Sequence, residues 1–407
     1  MKRFTPRVIL VIGWIAFMLF AYPGYLDFEA TYALIDSRST SYSGDGAPML
    51  AFVWRWVSII LSGPTGMLVL QATLTLVGAY YLLRRVVADR SAAILACALL
   101  LFPPVIATVA RICTDGAQVA FLLAGIVLLF NERRWVKLVA LAALVVATAM
   151  RPGGATATLP IIVLAFEWKP DLHWFKRAAL AFGAWIVVVA IATGATWTLV
   201  DRDVDGRAAT LASIDILGTA SRVGTIHDGD LAWAVFRATE AHHVRAADLL
   251  ITARHDFMRT YPAAYVAHRA DIFKRVLGFA RLKSTWDPVY TRTTPSRESR
   301  YWIDHAARHS FVQIKLIDVV TVFSKTPLFT PYVYLVIALV LLGFAIKRRQ
   351  RLEVMLLASG ILYEVSLAVV ADVPTFRSSH WLIASTMLAV AITIARTLAA
   401  RRARPPA

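Results

Sequence analysis

Two residue classes are scarce in this chain: cysteines and charged side chains. There are only two cysteines among 407 residues, and charged residues make up 17% of the sequence. Because Cys97 lies within an apolar run, Cys97 and Cys113 indicate neither a disulfide framework nor a cysteine-based metal site. With a hydrophobic content of 58%, the chain has more apolar surface than one soluble core can bury. Most of the chain is therefore expected to lie in lipid.

Several motifs of soluble enzymes are also missing. The chain has no P-loop, no G-x-G-x-x-G after a strand and no G-x-S-x-G, which leaves nucleotide-driven transport and esterase chemistry without support. His305 and His309 have the spacing that places two side chains on one helix face, but no glutamate follows His305 as in the H-E-x-x-H zinc motif. We therefore expect no cofactor and no protein-bound metal, and a divalent cation has no support in the sequence.

Apolar runs of membrane-spanning length recur along the chain. A transmembrane helix needs about 20 mostly apolar residues, and relaxing that length slightly gives about ten candidate spans. Their approximate limits are 8–22, 65–83, 91–110, 116–130, 136–150, 154–167, 178–200, 331–346, 352–371 and 379–396. The basic residues before the first run suit a signal peptide, but no small-residue cleavage site follows, so we interpret this run as a span. The sequence predicts an all-α, polytopic transmembrane helical bundle.

Basic residues sort to alternate loops between these segments. With the N-terminus in the cytoplasm, every cytoplasmic segment carries at least three Lys or Arg, as the positive-inside rule requires. These residues are Lys2, Arg3 and Arg7; Arg84, Arg85 and Arg90; Arg133, Arg134 and Lys137; Lys169, Lys176 and Arg177; Lys347, Arg348, Arg349 and Arg351; and Arg396, Arg401, Arg402 and Arg404. We expect a multi-pass inner (plasma) membrane protein with both termini cytoplasmic. The net charge of +17 gives no indication of a nucleic-acid partner, which would need a basic stripe on a soluble face.

Three regions follow from this topology. Residues 1–200 form an N-terminal transmembrane module, residues 201–330 an extracytoplasmic insert, and residues 331–407 the C-terminal transmembrane helices with a basic cytoplasmic tail. The insert is too long for a structureless loop. Helical spacing from Asp248 onward, and again after Pro262, which suits a first helical turn, predicts that the insert is helical.

The apolar stretch 48–62 is assigned to the outer face. Counting it as a span would invert every later loop, and Trp54, Arg55 and Trp56 suit a helix lying along the headgroup region. A tilted transmembrane helix is the alternative.

Ionisable side chains gather at the outer ends of different spans. Charges near lipid are costly and are usually retained for a function. A carboxylate there can accept a proton from an acceptor hydroxyl, and an arginine can bind a phosphate leaving group with its planar donor fork. For each residue a structural role is the alternative; Asp115, for example, could cap the fourth span. The candidate residues are Asp27, Glu29, Asp45, Asp115, Arg151 and Arg377.

The order of these features resembles the GT-C glycosyltransferases, polytopic enzymes that use polyprenyl-phosphate sugars. The superfamily includes protein O-mannosyltransferases and the enzymes that add aminoarabinose or galacturonate to lipid A. The likeness begins with Tyr22-Pro23-Gly24-Tyr25-Leu26-Asp27-Phe28-Glu29, a polar loop, Pro48 and a Trp-bearing helix. It extends to Thr114-Asp115, Arg151-Pro152-Gly153-Gly154 and the segment from Asp372 to Arg377; Tyr261-Pro262-Ala263-Ala264-Tyr265 through His268-Arg269 resembles bacterial members of unassigned activity.

The resemblance implies a GT-C-like fold and a lipid-linked sugar donor. A sugar would move from a polyprenyl phosphate to an extracytoplasmic acceptor, either a glycolipid, a polysaccharide or a protein. The first outer loop carries the catalytic carboxylate in this superfamily, so Asp27 or Glu29 would be the base, with Asp45 assisting. Membrane lipids are the remaining expected partner.

On the donor side, the resemblance implies that Arg151 and Arg377 hold the phosphate and that Asp115 orients the acceptor or one of the arginines. The chain departs from the family in two places. The His-His-Pro of some relatives is Gly46-Ala47-Pro48 here, and the Arg-Tyr pair near the end is Arg377-Ser378. Either change could mean an altered substrate or a loss of activity.

Three other functions stay open at this point. A polysaccharide polymerase or ligase shares the multiple spans and the large outer loop. A transporter or flippase would need ionisable groups near the bilayer midplane and broken, repeated helices, whereas the charges noted here lie at helix ends. A non-catalytic protein with the same fold would be consistent with the two departures.

Overall fold

The computed structural model of the chain describes residues 5–26, 28–39, 42, 47–166, 171–200, 207–224, 246–279, 310–371 and 374–402. Within these ranges the chain is helical, and its extended segments form no β-strand, only isolated bridges. The prediction of an all-α fold is therefore confirmed.

The N-terminal module is a succession of helices whose beginnings are often marked by proline. Pro6, Pro48, Pro64 and Pro103 each begin a helix, because a first-turn residue needs no backbone N–H donor. The helices are α1 (Pro6–Ala21), α2 (Phe28–Asp36), α3 (Pro48–Ile60), α4 (Pro64–Arg84), α5 (Asp89–Leu100), α6 (Pro103–Val109), α7 (Thr114–Leu129), α8 (Arg134–Met150), α9 (Gly154–Ala165) and α10 (Trp174–Leu199).

The second half contains the helices of the insert and the last helices of the bundle. They are α11 (Arg207–Val223), α12 (Ala246–Thr260), α13 (Pro262–Val276), α14 (Phe311–Ser324), α15 (Pro331–Lys347), α16 (Arg351–Val370) and α17 (His380–Arg402), with 3-10 turns at Pro327–Phe329 and Phe376–Ser379. Helices α12 and α13 lie where the sequence predicted them, and Pro262 begins α13 as expected.

Each predicted apolar segment coincides with a helix, except that 91–110 forms two helices, α5 and α6, bent by 70°. By length and composition four helical segments could cross a membrane within the described residues, or five if the bent pair is one span. These four are Pro64–Arg84, Trp174–Leu199, Arg351–Val370 and Phe376–Leu398. Several of the others are shorter apolar helices. The chain is thus an all-α membrane protein, and the number of about ten spans stays a prediction.

Helix α7 occupies the centre of the bundle, packed against α4, α8 and α17. Glycines permit the closest approaches: a Cβ added to Gly78 of α4 would lie 2.7 Å from the Cβ of Leu123, and one added to Gly125 of α7 would lie 2.6 Å from Leu144 Cδ2. Membrane helices associate through such close packing, since lipid provides no hydrophobic drive between them.

A second apolar cluster lies next to the loop between α1 and α2, where α2 and α3 pack against the beginning of α7 and the end of α8. Trp54 of α3 is fully buried there and donates its indole N–H to Gly63 O at 3.0 Å. Trp54 thus packs against protein, because it fills the space between α3 and its neighbours, and the position of α3 along the headgroup region stays a prediction. Trp56, two residues on, is 58% exposed.

The insert helices α11, α12 and α13 are joined around Asp215, a carboxylate that is 1% exposed. Its Oδ2 accepts hydrogen bonds from Arg254 Nε at 2.7 Å and from Arg269 Nη2 at 2.8 Å, and His268 Nε2 lies 3.6 Å from its Oδ1. Burial alone would raise the pKa of Asp215, but His268, Arg269 and Arg254 together outweigh burial and lower it. Gly218 is needed for this packing, since an added Cβ would lie 1.9 Å from the His268 ring.

Arg269 also docks the insert on the bundle. Its Nη1 donates to Ala371 O, just past the end of α16, at 2.7 Å. Helix α14 belongs to the same predicted region but packs elsewhere, against α1 and α6, and Gln313 donates to Phe20 O at 3.3 Å.

Replacing Asp215 with Asn is expected to loosen the insert. Arg254 and Arg269 would lose their shared counter-ion, and breaking one side of a buried ion pair costs about 3–5 kcal/mol. In the wild type the pKa of Asp215 is lower in the folded state than in the unfolded state. The stabilisation from the ionised carboxylate is therefore fully present above the unfolded pKa of about 4, and it is lost as the pH falls through the folded pKa. Hydrogen exchange of α11 and α13, corrected for the intrinsic effect of pH, measures both effects in the full chain.

The matched control is Asp256→Asn on α12, where the carboxylate is exposed. It should leave the exchange of α11 and α13 unchanged. Equal protection in the Asp215 variant and the wild type at neutral pH would show that the carboxylate does not hold these helices together.

Candidate active site

The loop between α1 and α2, which is the predicted first outer loop, is fixed to the segment that precedes α7. Tyr25 N donates to Ala110 O at 3.1 Å, and Ile112 N donates to Tyr25 O at 2.9 Å. Gly24 has a φ of +117°, and an added Cβ would lie 2.8 Å from Ile112 Cδ1, so glycine is required at this approach. The loop that leads to Glu29 is therefore held against the loop that leads to α7.

A glutamine inside the bundle holds the same segment from the opposite side. The side chain of Gln71, on α4, is 1% exposed, and its Nε2 donates to Val109 O at 2.6 Å and to Arg111 O at 2.9 Å. These carbonyls lie in the break between α6 and α7, where helical hydrogen bonding is interrupted. Gln71 thereby stabilises the backbone that precedes Thr114 and Asp115.

Two polar contacts form at the beginning of α7. Glu29 Oε1 accepts a hydrogen bond from Thr114 Oγ1 at 2.8 Å. Asp115, 1% exposed, forms a hydrogen-bonded ion pair with Nη2 of Arg151, whose side chain is 13% exposed. The N-cap of α7 is Cys113, which makes no side-chain cap hydrogen bond. Asp115 is therefore the counter-ion of Arg151 and not a helix cap.

Arg151 directly follows α8 and has an extended backbone conformation, which ends that helix. The chain then turns into α9. Gly153 lets the turn approach α16, since an added Cβ would lie 2.7 Å from Ser366 Oγ and 3.1 Å from the Tyr363 ring. Glu29 and Tyr363 both lie close enough to Arg151 to interact with its charge. Helices α2, α7, α8 and α16 thus all contribute to the surroundings of this guanidinium.

Two further ionisable side chains are buried in the C-terminal half of the bundle, one at the beginning of α17 and one on α16. His380, the first residue of α17, is 1% exposed and lies within electrostatic range of Asp115. Glu364 of α16 is 0% exposed, and its Oε1 accepts a hydrogen bond from Ser379 Oγ at 2.8 Å. The beginning of α17 therefore adds polar groups to the site from the C-terminal half of the chain.

Several buried polar atoms of this group have no hydrogen-bond partner among the described residues. They are Asp115 Oδ1, Arg151 Nε, Glu364 Oε2 and both ring nitrogens of His380. Such an atom costs about 1–3 kcal/mol and needs an explanation in a native structure. A cluster of them at one end of a membrane bundle is typical of a site that binds a polar ligand.

The structure brings together three of the residues predicted from the sequence: Glu29, Asp115 and Arg151. Arg377 is half-buried in the 3-10 turn Phe376–Ser379, three residues before His380, and its role stays a prediction. Asp27 and Asp45 lie outside the described residues, so their roles as base and assisting carboxylate also stay predictions. Of the two family departures, Ser378 is buried with its hydroxyl 3.1 Å from that of Thr375, and Gly46 lies outside the described residues.

Neither His380 nor Glu364 was predicted from the sequence as a site residue. The sequence does mark Glu364 as a candidate, because it is an ionisable residue inside the apolar segment 352–371, and such residues are functional candidates by default. It is also an exception to the pattern of charges only at helix ends. His380 had no comparable signal, since its burial beside Asp115 comes from the packing of α17 on α7.

No group of three or more His, Cys, Asp or Glu side chains in the described part of the chain could hold a metal ion. His305 and His309 lie outside that part. His268, which the structure does describe, is engaged with Asp215 in the insert.

Asp115→Asn is expected to destabilise the bundle strongly, because it leaves the Arg151 charge buried without a counter-ion, at a cost of about 3–5 kcal/mol. The double variant Asp115→Leu/Arg151→Met removes both charges and should recover much of this loss. Thermal unfolding in detergent, read as a double-mutant cycle, measures the coupling.

The control pair is Arg84–Asp89 at the other end of the bundle, whose side chains are 47% and 50% exposed. Exposed pairs contribute only about 0–1 kcal/mol, so Asp89→Asn should change stability little. A loss in Asp115→Asn no larger than in Asp89→Asn would show that the buried pair is not required for the fold.

No protein-family model and no curated protein matches this chain. Among solved structures, the chain is similar to the archaeal oligosaccharyltransferase AglB from Archaeoglobus fulgidus, in complex with an inhibitory peptide and a dolichol-phosphate. The TM-score is 0.36, the sequence identity is 12%, and the match covers 99% of this chain. The chain spans 52% of the length of that structure. A TM-score this low does not establish a common fold, so the function is inferred from the site itself.

Proposed function

We propose that the chain is a membrane glycosyltransferase that moves a sugar from a polyprenyl-phosphate donor to an acceptor hydroxyl outside the cytoplasm. The observation that carries this proposal is the buried Arg151–Asp115 pair, with the Glu29 carboxylate held beside it by Thr114. These groups supply the two functions that the reaction needs, a binding site for a phosphate leaving group and a proton acceptor.

Arg151 is suited to the phosphate. A guanidinium has five N–H donors, and Asp115 engages only its Nη2, while its buried Nε has no partner among the described residues. Asp115 fixes the orientation of the donor fork, so that the remaining donors can bind phosphate oxygens without reorganising. Arg377, on the turn before α17, is the second proposed phosphate ligand.

Glu29 is the described residue best placed to be the base. The Thr114 hydroxyl fixes one of its oxygens, and the other can accept the proton of an acceptor hydroxyl. The acceptor oxygen then bonds to the anomeric carbon of the sugar, the bond from that carbon to the phosphate oxygen breaks, and the phosphate leaves bound to arginine. Asp27 and Asp45 remain proposed as the alternative base and the assisting carboxylate.

We propose an orientation with this end of the bundle facing out of the cytoplasm. The charge pattern supports this orientation, since Arg84, Arg85, Arg134 and Arg351 all lie at the opposite ends of their helices. The insert docks at the same end as the site, through Arg269 and Ala371. In this orientation the lid formed by α2 and α3 and the insert would border the groove in which lipid headgroup and acceptor meet.

The test uses membranes from cells that express the wild type, Glu29→Gln, Asp27→Asn or the double variant, assayed with radiolabelled polyprenyl-phosphate sugars. Glutamine keeps an oxygen for Thr114 but cannot accept the proton, so transfer should fall by about 10²–10⁴-fold, the usual contribution of a general base. Arg151→Lys keeps the charge but loses the fork and should also weaken transfer.

The control is Asp171→Asn, an exposed carboxylate beyond the far end of α9. It should transfer sugar at the wild-type rate and be present in the membrane at the same level. If Glu29→Gln is fully active, the base lies elsewhere. If no polyprenyl-linked sugar is transferred by the wild type, the glycosyltransferase proposal fails for the donors tested.

A further inference from the structure

The end of the bundle opposite the candidate active site contains a cavity of about 670 Å³. Five helices contribute to it: α4, α7, α8, α9 and α16. Among the described residues, the cavity is lined by Arg85, Leu129, Phe130, Asn131, Glu132, Arg134, Lys137, Leu164, Ala165 and Arg351.

This cavity is separate from the candidate active site. Helix α7 joins the two, because Thr114 and Asp115 lie at its beginning and Leu129 at its end. The helix has 16 residues, and its rise places Thr114 and Leu129 about 22 Å apart. A ligand in the cavity would therefore not contact Glu29, Asp115 or Arg151.

The lining is strongly basic. In the described part of the lining, Arg85, Arg134, Lys137 and Arg351 are the basic residues and Glu132 is the acidic one. The Arg85 guanidinium lies 4.2 Å from the centre of the Phe130 ring, and that stacking holds the charge at the cavity wall. A cavity of this size with four cationic side chains selects an anion, and arginine forks suit a phosphate in particular.

An apolar groove continues from this cavity along α4 and α7. Its volume is about 330 Å³, and Arg85, Phe130 and Asn131 line both spaces. The rest of its lining is Tyr81, Val127 and Leu128, and Tyr81 is 45% exposed on the surface of the bundle. A basic cavity that opens into an apolar groove on a membrane-facing helix fits an amphiphile better than a free anion.

We infer that this cavity binds a membrane phospholipid with an anionic headgroup. The phosphate and any second acidic group of the headgroup contact Arg85, Arg134, Lys137 and Arg351, and an acyl chain lies in the groove beside Tyr81 and Leu128. Basic pockets between transmembrane helices bind such headgroups in membrane proteins generally. A lipid here would hold the α7–α8 turn against α4 and α16.

The test titrates the purified full chain in non-ionic detergent with short-chain phosphatidylglycerol, with phosphatidylcholine of the same chain length and with inorganic phosphate. A ligand that binds the folded state raises the midpoint of thermal unfolding in proportion to its affinity. We expect phosphatidylglycerol to stabilise the protein and the other two probes to do so little or not at all.

Arg85→Gln/Arg134→Gln should weaken phosphatidylglycerol binding on the order of tenfold or more, since each basic residue contributes to binding an anionic lipid. Arg85→Lys/Arg134→Lys keeps both charges and should retain most of the binding. The matched control, Arg90→Gln/Arg348→Gln, removes two exposed arginines that do not line the cavity and should bind as the wild type does.

Three results would overturn the inference: equal stabilisation by the two lipids, equal weakening in the cavity and control variants, or full stabilisation by inorganic phosphate alone. The last would assign the cavity to a free anion. If the glutamine variant does not fold, the comparison of the two lipids on the wild type still decides the question. None of these measurements depends on sugar transfer.

Discussion

The buried ion pair between Asp115 and Arg151 is the interaction on which the polar end of the bundle depends. Two charges can remain inside a membrane protein only when they are paired and held in place. That requirement explains why the beginning of α7 is fixed from two sides, by Tyr25 of the first outer loop and by Gln71 of α4. Helices α2 and α3 pack in the same region, in one apolar cluster with Ala117 of α7 and Met150 of α8.

The C-terminal half of the chain is joined to the same site. Arg269 of the insert binds Ala371, and the chain continues from there through the turn that contains Arg377 to His380, which lies beside Asp115. The carboxylate that positions Arg269, Asp215, is in turn shared with Arg254. Arg269 thus connects Asp215 on α11 to the end of α16.

Polar side chains gather at both ends of the bundle, but the two ends carry different kinds of charge. In lipid each helix satisfies its own backbone hydrogen bonds, so polar side chains gather where helices begin, end or break. At one end those side chains are carboxylates, a histidine and a paired arginine, largely buried. At the other the described lining of an open cavity holds three arginines, one lysine and one glutamate. The first arrangement suits a reaction on a phosphate ester, and the second suits retention of an anionic lipid.

The sequence by itself determined the helical class, the positions of the helices and three members of the site. Apolar runs bounded by prolines and basic residues are local signals, which is why 65–83, 178–200 and 352–371 became α4, α10 and α16. Only the tertiary structure decided which charges meet. Trp54 became buried, Asp115 became the counter-ion of Arg151 instead of a cap, and His380 came to lie beside Asp115. The last two outcomes depend on contacts between residues 36 or more positions apart, which no local pattern encodes.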